Sequence, residues 1–301
     1  MSENEATSAA APAPGAAPDD ADDLRGFYFR LLLGKPLTWI LLGLEVLTVG
    51  VLLAVFVSPA IGAVAAAGAF LLGLLVVLTI ADSRSEDAFF DVYGRQHDMT
   101  VYGRSRLPQA TPLLRKGDDR YAERTLEGRL GEGVDGMVAL YTYEDESTDS
   151  EGNRQTNYYR YTVGLAAVPE CAGFVPELYC QRKFGLRALE KFEDVFRRSK
   201  QRVELESEEL DERYEIFAGK AQDANWLRQL FSPTFIVWLN DSAPEKFAFE
   251  LVDGNLCCYV SGHKDNAEEL DAVAAATAAV GKRLKEEALQ TSPPAAPSEA
   301  G

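Results

Sequence analysis

The chain has 301 residues and sets 47 Asp and Glu against 30 Lys and Arg, a formal net charge of −17. That balance argues against a nucleic-acid-binding surface, since phosphate contacts need clustered Lys and Arg. By the same argument it speaks against a polybasic lipid-binding patch. The four cysteines, Cys171, Cys180, Cys257 and Cys258, show neither C-x-x-C spacing nor a histidine cluster, so reduced, mostly buried thiols are expected and a disulfide scaffold or metal site is not.

Residues 1–22 are Ala, Pro, Ser and acid with no aromatic ring, too little apolar surface to offset chain entropy, and are predicted to be a disordered tail. They do not read as a secretory signal, because the first apolar run begins late, is long, and is followed by a second. Residues 23–35 mix Phe27, Tyr28 and Phe29 with Arg25, Arg30 and Lys35. Aromatic rings and snorkelling cations both settle at a membrane–water interface, and Trp39 adds to the same belt. The same segment also reads as a simple extension of the first helix.

Residues 36–81 organise the chain. PLTWILLGLEVLTVGVLLAVFV and AVAAAGAFLLGLLVVLTIA are two apolar runs separated by SPAIG. About 20 apolar residues at 1.5 Å rise cover the ~30 Å hydrocarbon core, so a transmembrane helical hairpin is predicted, broken at Ser58-Pro59. Arg25, Arg30 and Lys35 precede it, Arg84, Arg95, Arg104 and Arg106 follow it, and the connecting loop is uncharged. The positive-inside rule then puts both termini in the cytoplasm, and a plasma (inner) membrane is the expected location. On the second span Ala65, Ala69 and Gly73 recur every fourth residue, with Gly62 and Ala66 as a parallel series; such spacing suits packing within the hairpin or self-association between chains. Glu45 is the one ionisable residue inside the runs. A charge there costs a few kcal/mol (about 3), so Glu45 is either a structural polar contact, with Thr48 or Thr38 as local partners, or a functional proton or ion site.

Residues 82–97 carry Phe89, Phe90 and Tyr93 on one side after a Ser-plus-acid signature, which predicts a helix continuing out of the bilayer to about Gly94. The stretch to residue 118, turn-rich around Pro108 and Pro112, is expected to be an irregular connector over the domain surface. A hairpin follows: Leu126–Glu144 answered by Asn157–Val168 around the polar loop DESTDSEGNRQT. On its second arm Tyr159, Tyr161, Val163 and Leu165 share one face, a pattern of cross-strand packing rather than base stacking.

Residues 185–199 place Leu186, Leu189, Phe192, Val195 and Phe196 at helical spacing. VELE and RYEIFA are strand candidates, AQDANWLRQLF a helix, and SPTFIVWLND a helix with Ser232 as N-cap. KFAFELV-DGN-LCCYVSG is the best hairpin signal in the chain. A long helix then starts at an Asp265–Glu268 capping box and carries Leu270, Val273, Ala276, Val280 and Leu284 as one stripe. Residues 290–301 return to tail composition. The expectation is an α+β fold: a transmembrane hairpin followed by a cytosolic domain, or two small subdomains (119–202 and 203–289), with antiparallel β-hairpins and packed helices.

Gly136–Tyr143, Tyr214–Phe217, Leu230–Leu239 and Phe247–Tyr259 carry a pattern, with a Ser-Pro before an "f.f.dg.l.v" hairpin, that resembles a bacterial family of two-span membrane proteins of unknown function. The resemblance covers about the last two-thirds of the chain, implies an architecture and a membrane location, and carries over no catalytic residue.

Motifs for chemistry are missing. His97 and His263 sit in no metal-ligand spacing, His263 reads as a surface-loop residue, and the acidic run 204–212 lacks the order of a calcium loop. No G-x-x-x-x-G-K-[ST], G-x-S-x-G or G-x-G-x-x-G stands in its required context, so no cofactor and no enzymatic role is expected. The leading reading is a membrane-anchored module binding a cytosolic protein or small ligand. The alternatives are an oligomeric assembly or permeation path organised by the hairpin and Glu45, and a membrane-tethered enzyme without a motif.

Overall fold

The computed structural model describes Phe27, Arg30, Leu31 and residues 34–131, 133–148, 152–173, 175–183, 200–205, 207–220 and 222–291. The predicted tails, Arg25, Tyr28, Phe29 and the predicted helix at 185–199 lie outside the described residues, apart from Gln290 and Thr291. The chain divides into two compact units, Met1–Tyr93 and Gly94–Gly301.

The first unit is a helical pair. α1 spans Pro36–Phe56, with proline at its first turn, where a missing N–H costs nothing. The chain breaks at Val57-Ser58, and Ser58 Oγ accepts the Ile61 amide at 3.2 Å, capping the next helix. That helix, α2, runs from Pro59 to Gln96. The apolar windows have mean hydropathies of 2.4 and 2.6, so both helices are long and apolar enough to cross a bilayer. As expected for 82–97, the helix continues past Ser83 and Ser85 without a break, since no Gly or Pro stands between Gly73 and Gly94. Phe89 and Tyr93, one turn apart, stack at 6.0 Å between ring centroids.

The second unit is built on one antiparallel sheet. Its strands are β1 (Thr100–Tyr102), β2 (Asp119–Gly131), β3 (Val134–Thr148), β4 (Arg154–Ala167), β5 (Glu177–Arg182), β6 (Lys200–Arg202), β7 (Tyr214–Gly219), β8 (Ala248–Val252) and β9 (Asn255–Ser261). They lie in the order β1-β2-β3-β4-β9-β8-β5-β7-β6. Residues 119–202 and 203–289 therefore share one sheet, because β8 and β9 stand between β4 and β5.

Three local expectations are corrected. The predicted first arm, Leu126–Glu144, is two strands that turn at Gly133, whose φ of 74° favours glycine. The polar run DESTDSEGNRQT is mostly strand, since Asp145 pairs with Asn157 and Thr148 with Arg154. The strand expected at VELE ends instead at Arg202. The Asp253-Gly254 turn has φ of 47° and 76°, the left-handed pair that a two-residue hairpin needs.

Helices cover one sheet face. α3 (Glu208–Arg213), α4 (Ala224–Leu230) and α5 (Pro233–Asp241) accompany α6 (Ala267–Thr291), which crosses β2, β3, β4 and β9. The stripe Leu270, Val273, Ala276, Val280 and Leu284 is buried. Its cap lies one residue later than expected: Asn266 Oδ1 accepts the Glu269 amide at 2.9 Å. α6 packs tightly on Gly164, where a Cβ would stand 2.0 Å from Thr277 Oγ1.

The opposite face is a tyrosine layer. Tyr141, Tyr143, Tyr161 and Tyr259 are buried with Val163, and Tyr143 stacks on Tyr161 at 6.0 Å. The connector after β1 closes over this layer. A 3₁₀ turn at Leu113–Arg115 drives Leu113 and Leu114 into it.

Candidate functional site

In the helical pair, the small residues of the second span face the first. A Cβ on Gly62 would lie 2.7 Å from Ala54 N and 2.7 Å from Gly50 O, backbone atoms that cannot step aside. Ala66 meets Gly50, and Gly73 meets Leu42 and Glu45. Ala65 and Ala69 are half-buried on the same side. Glu45 is itself exposed, and its Oε2 would stand 2.8 Å from a Cβ on Gly73. Thr48 does not serve Glu45, because its hydroxyl donates to the Leu44 carbonyl at 2.6 Å. Arg30, Lys35 and Trp39 are exposed and Phe27 is half-buried. Gly62→Ile should cost about 1–3 kcal/mol by overpacking. Gly43→Ile, where nothing lies within 4 Å, should be neutral. Helicity followed through an SDS titration of the two variants checks the contrast.

A second polar feature sits under the connector. On β8, Ala248, Glu250 and Val252 point to the tyrosine face while Phe249 and Leu251 point to the helices. Glu250 is wholly buried, and Leu113 N donates to its Oε2 at 3.0 Å. Burial pushes its carboxyl up to about 7, against the pull of the Leu113 amide and of Lys116. Lys116 is only 4% exposed, and burial brings its ammonium down to about 8, with Glu250 holding it up. Glu250 Oε1 and Tyr259 OH are buried and make no hydrogen bond among the described residues. Sequence reading missed this acid, whose signal is an ionisable residue inside a strand apolar on both faces.

Beside this buried acid the sheet face opens into a groove of about 980 Å³. Pro108, Thr111 and Leu114 of the connector form one wall, and Met137, Leu165 and Ala167 supply apolar floor. Asp98, Glu127, Arg129 and Asp135 stand around it. Arg129 and Asp135 pair loosely at 3.8 Å. His97, also at the groove, lies 3.5 Å from Asp271. Thr111 belongs both to the groove wall and to the surroundings of Glu250.

His263 corrects its sequence reading. The Gly262 turn, at φ 85°, swings it back onto β3, where Nε2 lies 3.2 Å from both Tyr141 O and Thr142 Oγ1. Burial lowers its pKa while Glu123, 3.8 Å from Nδ1, pulls it up. Thr, His and Glu thus meet, yet Thr142 is fully buried and donates to Glu123 Oε1 at 3.2 Å, so no substrate carbonyl reaches its hydroxyl. Cys257 and Cys258 occupy opposite faces of β9, and all four thiols are buried and unpaired. Burial pushes Cys171 up to about 12, away from a reactive thiolate. Among the described residues no three His, Cys, Asp or Glu side chains are grouped to hold a metal ion.

Comparison with protein-family models, with curated proteins and with solved structures returns no match for this chain. The resemblance drawn from the sequence therefore rests on its own pattern.

Proposed function

We propose that this protein is a membrane-anchored binding module. α1 and α2 hold it in the bilayer, and the sheet unit takes a protein or small ligand in the groove beside Thr111. The observation that carries this reading is the groove itself, whose volume near 980 Å³ is at the upper end of the ~300–1,000 Å³ of ligand sites, with apolar floor and a few polar groups around it. The charges flanking the apolar runs support a cytosolic placement of both termini; the bacterial inner membrane as location rests on the resemblance drawn from the sequence. A photo-crosslinking side chain at Leu165, in native membranes, should give a discrete adduct that Met137→Arg abolishes. The same probe at Val237, 57% exposed on α5, should not. Equal labelling from both positions would refute the groove as the binding surface. A reporter fused after Gly301 that proves active only outside the cytoplasm would refute the orientation.

A second reading has one observation in its favour. Glu45 is exposed although the small residues beside it are already packed, which leaves its carboxyl for a neighbouring chain or an ion. Loss of detergent-stable oligomers in both Glu45→Gln and Glu45→Leu would support it.

A further inference from the structure

One row of side chains runs out of the groove and under the connector. On the tyrosine face Glu127, Met137, Leu165, Cys257 and Glu250 are successive partners in β2, β3, β4, β9 and β8. Four strand spacings set its ends about 19 Å apart. Glu127, Met137 and Leu165 line the open groove, whereas Cys257 and Glu250 are wholly buried. Leu113 and Leu114 of the connector share one buried cluster with Cys257. Thr111 stands at the boundary, in the groove wall and beside both Glu250 and Cys257.

The covered half of the row carries polar atoms that the fold leaves unmatched. Thr111 Oγ1, Glu250 Oε1 and Tyr259 OH are buried without a hydrogen bond among the described residues. They come from three elements and gather in one place, since Tyr259 shares a face of β9 with Cys257, the partner of Glu250. Buried polar groups are matched as a rule, so three together mark a place for a hydrogen-bonding group. The cover itself is separable. Its ends are tied to the sheet, by Ser105–Ala122 backbone bonds of 3.0 and 2.8 Å and by an Asp118–Glu144 bond of 2.7 Å. Between them Arg115 binds the connector to itself, donating to the Gln109 and Ala110 carbonyls at 2.7 and 2.8 Å. The inner tie is at Leu113, whose amide meets Glu250 and whose carbonyl accepts from Tyr141 OH at 3.3 Å.

We propose, building on the groove as the binding surface, that it continues beneath residues 106–117 to Thr111, Glu250 and Tyr259, with this segment as a lid. The ligand it selects has an apolar body, lying along Met137 and Leu165, and ends in a group that both donates and accepts, an amide or a hydroxyl.

The lid is tested on the native full chain in dodecyl maltoside with N-ethylmaleimide, each cysteine being followed by peptide mass spectrometry. Cys257 is the thiol under the connector, while Cys258 and Cys180 face the helices and Cys171 donates to the Leu284 carbonyl of α6. Cys257 should label at least about tenfold faster than Cys258, because lifting the lid is a smaller opening than unfolding the unit. Val280→Ala, which loosens α6, should speed Cys258 and leave Cys257 unchanged. Equal rates for the two thiols in both proteins overturn the lid. The inner site is tested with p-benzoylphenylalanine at Leu165 in native membranes, combined with Thr111→Val or Tyr259→Phe. Neither substitution breaks a hydrogen bond, so thermal unfolding should be unchanged while the adduct falls about fivefold. An adduct lost in Met137→Arg yet at native yield in Thr111→Val and Tyr259→Phe keeps the groove and overturns its inner extension. No adduct in any of these proteins removes both.

Discussion

Replacing Glu250 with glutamine should raise stability over the native chain by a margin that grows about 3 kcal/mol between pH 4 and pH 8. The folded carboxyl titrates at about 7 against 4.5 for the unfolded chain. Between those values the folded state holds a proton that the unfolded state has released, so native stability falls as pH rises through this window and levels off above it. Glutamine keeps an oxygen for the Leu113 amide and carries no proton to lose, so its profile lacks the fall. Lys116 has the opposite sign at higher pH. Its folded value of about 8 lies below 10.5, so stability recovers from about pH 8 towards 10.5 as the unfolded chain binds the extra proton. The native protein should therefore show a shallow minimum between pH 7 and 8, where both buried groups are ionised. Urea titrations of the detergent-solubilised protein across this range measure it, and parallel profiles for the native chain and Glu250→Gln would contradict the buried-acid assignment.

The second large effect concerns the helix layer. Gly164→Ala places a methyl 2.0 Å from Thr277 Oγ1 and 3.0 Å from Thr277 Cβ, on a residue with no exposure. Neither group can yield cheaply: Gly164 is fixed by pairing with Val138 and Cys258 on both sides, and Thr277 donates to the Val273 carbonyl at 2.8 Å. α6 has to lift from the sheet, at an expected cost of about 3 kcal/mol. Thr277→Ala removes the nearer atom, so the double variant should recover more than half of that loss. A double-mutant cycle on unfolding midpoints measures the coupling, and strict additivity would show that the helix had not been held at this point.

What the sequence made legible was local. Apolar runs marked α1 and α2, period-four spacing marked the buried stripe of α6, and Asp253-Gly254 marked the β8–β9 hairpin, because each is decided by neighbours a few residues apart. Strand order was not legible, since nothing in residues 248–261 states that they pair with β4, about ninety positions earlier in the chain. The break between β2 and β3 escaped because the strand pattern resumes directly after Gly133, without a polar loop to announce it. Glu250 escaped for a related reason. Its burial depends on Leu113 and Lys116, which reach it across 137 and 134 residues.

The place of β8 and β9 also sets the timetable of assembly. During synthesis β1 to β4 emerge first and can pair as a meander, and β5, β6 and β7 are complete at Gly219, before β8 begins at Ala248. The two groups cannot join until residues 248–261 leave the ribosome, because that late hairpin is the seam between them. Until then β4 presents an open edge with unpaired backbone groups, the kind of surface on which nascent chains associate with one another. On the proposed reading of α1 and α2 as an anchor, a newborn molecule meets the bilayer before its sheet is whole, and a stop after β7 leaves an anchored fragment with that edge permanently exposed.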